Sequence, residues 1–325
     1  MTKLVTTSVL AFVVGATLAA RPDQTQKTLD DLQKALGGSK LAELKTLTAE
    51  GTYRRTMGQM EMSGDFELAI ALPDKFQRIE QFTLPTGMPG PRIATTLNGD
   101  QAWMGPLGPV PAGMMFQFGG PGGQRVGGPG APGGPGGPGG AAEGGHRPPP
   151  PDPTVRIRTE IRRVALALLP GAIAANGLTL THVGTAQSPD GQADVLEVKG
   201  SDEFTARVFL DSEKKVPLMV TYVDRDPTQM GRLMTMQARP GESPEDRRKR
   251  IEEERKKLEA QGPPPAPPRV EISWYVSEHK KVDGILLPHR LTMQVGDKVV
   301  QEWEFKKYKV NGKVDLDQFN RKGTE

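Results

Sequence analysis

Apolar residues recur at every second position over long stretches of the chain, as in Phe66, Leu68 and Ile70 ahead of the Leu72-Pro73-Asp74 turn, and in Val270, Ile272, Trp274 and Val276. The same phase runs through Leu291, Met293 and Val295 and through Trp303 and Phe305. Period-two alternation gives a strand one dry face and one wet face. Short turn signals at Asn98-Gly99, Asp190-Gly191 and Gly296-Asp297 join such strands to antiparallel neighbours. About ten strands follow, and the crossover helices that a parallel sheet requires are missing. The expected architecture is α+β: a curved antiparallel sheet forming an incomplete β-barrel packed around a few helices.

Two segments carry a 3.6-residue pattern instead. Gln24 to Leu36 places Leu29, Leu32 and Leu36 on one stripe and is stopped by Gly37-Gly38, with a short turn from Ser39 to Leu44 behind it. Val155 to Leu169 places Ile157, Ile161, Val164 and Leu168 on a stripe with Leu166 and Leu169 beside it. Helices this apolar must be covered, either as plain core on the concave face of the sheet or as a plug or lid over a cavity.

The pattern breaks in three places. Met1-Thr2-Lys3 followed by the uncharged run Leu4 to Ala20 reads as a secretory signal over 1–20, cut after Ala19 or Ala20. Residues 119–151 hold fifteen Gly and nine Pro in thirty-three positions, so the segment 119–153 is expected to be a disordered insertion. From 240 to 268, seven acids and seven bases sit largely four apart between Ser243-Pro244-Glu245-Asp246 and a proline run, which predicts a solvated, charge-laced helix. Both insertions interrupt a continuing strand pattern, so residues 21–325 are read as one domain with elaborated loops.

Composition removes chemistry rather than adding it. The chain of 325 residues has no cysteine, which excludes disulfides, thiolate metal sites, a cysteine nucleophile and an acylated lipoprotein cysteine. A net charge of +3 is too small a field for phosphate backbones, so nucleic acid is not an expected partner. His146, His182, His279 and His289 lack metal-ligand spacing. Ser212-x-x-Lys215 and Ser277-x-x-Lys280 match an acyl-enzyme spelling but fall in turns between strands. No catalytic residues, no metal and no cofactor are expected, and the chain is read as a non-enzyme. What remains is a set of apolar and aromatic residues on alternating strands: Phe66, Leu68, Trp103, Val220, Tyr222, Trp274, Met293 and Trp303. They are either plain core or the lining of a hydrophobic cavity. Each buried methylene gains about 0.8 kcal/mol, so an acyl chain could gain on the order of 10 kcal/mol before ordering costs, with no special polar residue.

The run Leu36-Gly37-Gly38-Ser39-Lys40-Leu41 with Leu44-Lys45-Thr46-Leu47 and Gly51, then Pro73-Asp74-Lys75-Phe76, resembles the opening of LolA/LolB-like lipoprotein-carrier proteins and their exported relatives. Asn98-Gly99-Asp100-Gln101-Ala102-Trp103, Leu210-Asp211 before Val216-Pro217-Leu218, Val282-Asp283-Gly284-Ile285 with Leu287-Pro288, and Val310-Asn311 to Phe319 follow in the same order. The resemblance implies an incomplete barrel around helices, with a hydrophobic cavity that takes acyl chains. It implies an exported protein, in the periplasm of a Gram-negative-type bacterium, whose partner is an acyl lipid or a lipidated protein. Contact with an envelope protein and peripheral membrane contact are further expectations. The alternative is a non-enzymatic envelope scaffold that acts through its insertions.

Overall fold

A computed structural model describes residues 13–14, 22–57, 60–84, 87–108, 153–173, 177–189, 191–228, 243, 245–246, 249–250, 252–253 and 268–320. The expected signal, apart from Val13–Val14, and the Gly/Pro-rich insertion up to 152 lie outside these residues, as does most of the charged insertion. In that last segment Glu245–Asp246, Lys249–Arg250 and Glu252–Glu253 are helical, and the Ser243 hydroxyl accepts the Asp246 amide at 3.1 Å as an N-cap.

The strands are β1 (Val13–Val14), β2 (Thr46–Met57), β3 (Met60–Ala71), β4 (Lys75–Thr83), β5 (Pro89–Asn98), β6 (Gln101–Leu107), β7 (Thr179–Ser188), β8 (Gly191–Lys199), β9 (Thr205–Asp211), β10 (Pro217–Arg225), β11 (Arg269–Ser277), β12 (Lys280–Val282), β13 (Ile285–Leu287), β14 (Arg290–Val295) and β15 (Lys298–Val310). Thirteen of them form one sheet in the order β1-β7-β8-β9-β10-β11-β14-β15-β2-β3-β4-β5-β6, and β12 and β13 form a small hairpin. Every pairing is antiparallel. The main sheet thus has more strands than the alternation suggested, and in β8 and β10 near-continuous buried runs hide the period. The long strand β15 returns to lie against β2, so the two meanders β2–β6 and β7–β15 fuse into one surface whose outer strands do not meet. It is a curved open sheet, not a closed barrel.

The helices are α1 (Pro22–Leu36), α2 (Ser39–Ala42), α3 (Pro153–Leu168) and α4 (Pro170–Ile173), with a 3-10 turn at Leu316–Phe319. α1 and α3 fall within two residues of their predicted limits. α1 ends where Gly38, at φ 56°, donates its amide to the Gln33 carbonyl at 2.8 Å. Leu32 and Leu36 of α1 and Ile161, Val164, Leu166, Leu168 and Leu169 in and just after α3 are all buried in the principal core. α3 follows β6 and crosses the concave face, touching β5 and β6 on one side and β9, β10 and β11 on the other.

Outside, the convex face is wet across β2, β3 and β15, where Arg54 pairs with Glu302 and Arg92 with Glu67. Across β7 to β10 it carries a second apolar cluster of Ala186, Ala193, Val195, Phe209 and Met219. No helix among the described residues is long and apolar enough to cross a membrane.

Candidate functional site: the concave face beneath helix α3

Residues directly opposite in an antiparallel ladder project to the same face, so register alone sorts the expected lining residues. Val220 lies opposite Trp274, Trp274 opposite Met293, and Tyr222 opposite Ile272. Leu291 lies opposite Trp303, Trp303 opposite Tyr53, and Phe66 and Phe305 both opposite Gly51. Leu68 lies opposite Ala49. Phe66, Leu68, Val220, Tyr222, Trp274, Met293 and Trp303 therefore share the concave face.

Trp103 does not join them. It lies opposite Thr96, which faces Gln77 and then Ala69, whereas the concave row runs from Leu68 through Arg78 and Thr95 to Met104. Trp103 stands on the convex side, the side on which Gln77 donates to the Gln318 carbonyl at 2.7 Å. The Asn98-Gly99 turn joins β5 to β6 as expected, but the one-residue phase that follows it decides the face, and Trp103 alternates with Met104.

The floor of the concavity is aromatic. Phe66 lies 5.1 Å from both Trp303 and Phe305, and Trp274 lies 5.6 Å from Trp303 at a steep angle. Tilted and edge-on contacts of this kind add to the gain from burial. Gly51 makes the arrangement fit, since a Cβ there would meet the Glu304 carbonyl oxygen at 2.1 Å and the Phe66 ring at 2.7 Å.

Charge lies between this floor and α3. Arg78 is only 4% exposed, yet its guanidinium contacts Glu160 of α3 at 2.7 Å and Glu80 at 3.4 Å and lies over the Trp303 ring, 5.2 Å from its centroid. Glu80 also takes Arg55 at 2.9 Å. One turn along α3, Arg163 pairs with Asp224 at 2.5 Å and stacks on Tyr222 at 3.7 Å. Burial works against the charged form of Arg78, but Glu80 and Glu160 more than offset it and its pKa is raised. Glu160 and Asp224 likewise resist burial: Arg78 holds the first below the usual carboxylate range, and the hydrogen bond and charge of Arg163 do so for the second. Tyr53 and Tyr222 are pushed up to about 12, chiefly by burial.

α3 is also fastened across the gap between the two arms of the sheet. The Arg158 guanidinium donates through one nitrogen to the Asp100 carbonyl, in the β5–β6 turn, at 2.6 Å. Its other terminal nitrogen contacts the Asp202 carboxylate, in the β8–β9 turn, at 2.7 Å. Arg162 reaches the Ser201 hydroxyl at 3.2 Å beside it. The sequence carries one signal for these charges: Arg78 and Glu80 occupy the inward phase set by Phe76, while Arg158, Glu160, Arg162 and Arg163 flank the apolar stripe of α3.

Among the described residues, buried donors on this face without a hydrogen-bond acceptor include Trp303 Nε1, Gln301 Nε2, Arg163 Nε and Arg78 Nε. A buried N–H without a partner is uncommon and marks a place where an acceptor can be received. No cluster of His, Asp and Glu suited to a metal ion occurs among the described residues.

No family model and no curated protein matches the sequence. Among solved structures, the chain is similar to a LolA superfamily protein from Nitrosomonas europaea, with 10% identity, 94% of this chain and 99% of that chain covered, and a TM-score of 0.46. It is also similar to a putative outer membrane lipoprotein-sorting protein domain from Vibrio parahaemolyticus, at 11% identity, 91% and 97% coverage and a TM-score of 0.43. A DUF1329 family protein from Desulfovibrio piger matches at 8% identity, 91% and 97% coverage and a TM-score of 0.43.

Proposed function

We propose that this protein is a non-enzymatic acyl-lipid or lipoprotein carrier of the cell envelope, exported to the periplasm, and that its cargo lies on the concave face once α3 lifts. The observation that carries the proposal lies beneath α3: an apolar floor from Val220 to Phe66, and, within that floor and on α3, buried donors that lack acceptors among the described residues. Acyl chains suit the floor, and the ester or amide oxygens next to an acyl chain suit the donors. Ion pairs at the N-terminal half of α3 can exchange for water when it moves, whereas its C-terminal half, with Val164, Leu166 and Leu168 in the core, acts as the fixed end. The filled floor, with Trp303 1% and Phe66 2% exposed, is the closed state in this reading.

The test is lipid mass spectrometry on mature protein isolated without detergent, joined to uptake of a labelled diacyl lipid followed through the indole N–H resonances. The chain has three tryptophans, so each signal can be assigned. Stoichiometric acyl lipid, with the Trp303 indole shifted on uptake and the convex Trp103 indole unmoved, is expected. A clean protein that takes up nothing would overturn the carrier reading in favour of an envelope scaffold working through segments 119–153 and 240–268.

A further inference from the structure

At the end of the sheet where β9 turns into β10, a groove of about 570 Å³ opens between α1, β10, β11 and β13. Its walls are Ala35 of α1, Val216 and Leu218 around the start of β10, Val276 of β11 and Leu286 of β13. Asp211, Lys214, Ser277 and His279 supply its polar groups. Asp211 turns one carboxylate oxygen onto its own loop, accepting the Glu213 and Lys214 amides at 2.9 and 2.7 Å. Lys215 places its ammonium on Asp194 at 2.6 Å, while the exposed Lys214 has no carboxylate of its own among the described residues. His279 Nε2 is buried and has no hydrogen-bond partner among the described residues.

The groove thus holds one anion, Asp211, with one carboxylate oxygen taken up by two backbone amides, and three donor groups beside apolar walls. Lys214 carries three N–H bonds, Ser277 a hydroxyl, and His279 an imidazole that can present either N–H or a lone pair. Burial, and then neighbouring His289, lowers the His279 pKa, so the ring is neutral at pH 7 and offers a hydrogen bond without adding a second charge. Although Ser277, His279 and Asp211 share the groove, no hydrogen bond among the described residues links them as a nucleophile, base and orienting acid would be linked. The volume lies within the range of small-ligand sites, and its lining includes no residue of α3 and none of Phe66, Trp274 and Trp303.

We infer that this groove is a second binding site that takes a single-chain fatty carboxylate, its head on Lys214, Ser277 and His279 and its chain along Val216, Leu218, Val276 and Leu286. The site is independent of the reading of the concave face and stands or falls separately from it.

The experiment titrates the mature protein with decanoate below its micelle concentration and follows the imidazole resonances, of which four histidines give few enough to assign. Saturable one-to-one binding that shifts His279 and leaves the Trp303 indole unmoved is expected. Lys214→Met and the neutral comparator decanol should each weaken it about tenfold, the loss of one charge-assisted hydrogen bond. Leu286→Glu, placed at the partly covered wall, should abolish binding while leaving the melting curve of the sheet in place. His279→Phe, which keeps an aromatic ring, should weaken binding without unfolding. Binding that shifts Trp303 instead of His279, binding indifferent to Lys214→Met, or equal affinity for decylamine would each overturn the proposal.

Discussion

Where β2, β3 and β15 meet, the concave face is held by rings: Phe66, Trp303 and Phe305 lie within about 6 Å of one another across three strands. Beneath α3, a few ångströms away, it is held by guanidinium and carboxylate groups, Arg78 on Glu160 and Arg163 on Asp224. The first contact is non-directional and scales with area, so it tolerates small shifts and resists opening. The second is directional and partly wet, since Glu160 keeps 46% and Asp224 40% of side-chain exposure while Arg78 keeps 5%. One region therefore fixes the curvature of the sheet, and the other fixes where a helix rests on it. That contrast separates a frame from a cover.

The largest effect expected is on the frame. Trp303→Ala removes the ring that Phe66, Trp274, Phe305 and Arg78 all contact, and should cost about 3–5 kcal/mol of global stability by denaturant titration. A loss below about 1 kcal/mol would mean that the floor is loosely packed and that the two regions do not differ in kind.

Next comes the cover. Arg78→Ala leaves Glu80 with Arg55 but deprives Glu160 of its partner, and should cost about 3 kcal/mol, near the lower end for a buried pair because Glu160 can turn to water. The sharper comparison is Arg78→Met combined with Glu160→Met, since replacing both members of a buried pair by apolar groups is often neutral or stabilising. The double variant should recover most of the single variant's loss and, on the proposed carrier function, slow lipid uptake, as α3 is then held by packing alone. A double variant as unstable as Arg78→Ala would show that the charges are needed for the fold itself. One that takes up lipid at the normal rate would remove α3 from the gate.

Much of the frame is readable from the residues, for a physical reason. Period two is visible when one face is wet, as in β2 and β3, where Thr48, Glu50 and Thr52 alternate with Ala49, Gly51 and Tyr53. It fades in β8, where Ala193 to Leu196 are buried on both faces, and the strand count was underestimated there. Trp103 was assigned to the lining because aromatic character says that a residue is covered, not from which side. Only register with β5 places it opposite Thr96 on the convex face. The cover was the least legible part. Arginine is ordinarily a surface residue, and nothing near Arg78 in the chain announces Glu160, its partner eighty-two positions away. The fastening of α3 by Arg158 to two turns from opposite arms of the sheet depends on curvature that no local pattern encodes. In the groove at the sheet end, Asp211, Ser277 and His279 were all noticed, or lay beside noticed residues, in segments that reach one wall only after folding.

The smallest effect expected is also the one that tells frame from cover without mutation. Glu160 and Asp224 have lowered pKa values in the folded protein, so their contribution is present above the unfolded carboxylate values near pH 4 and is lost as pH falls through the lower folded values. Both are partly exposed, so screening limits the loss to about 1 kcal/mol or less. The ring floor has nothing to titrate in that window, since Tyr53 and Tyr222 ionise only at about 12. Acid should therefore loosen α3 before β2 and β15. Hydrogen exchange by mass spectrometry at pH 7 and at successive steps below pH 4, corrected for intrinsic rates, should show peptides from 156–165 losing protection ahead of those from 301–308. Simultaneous loss in both would mean that helix and sheet open as one unit, and α3 would then be part of the frame.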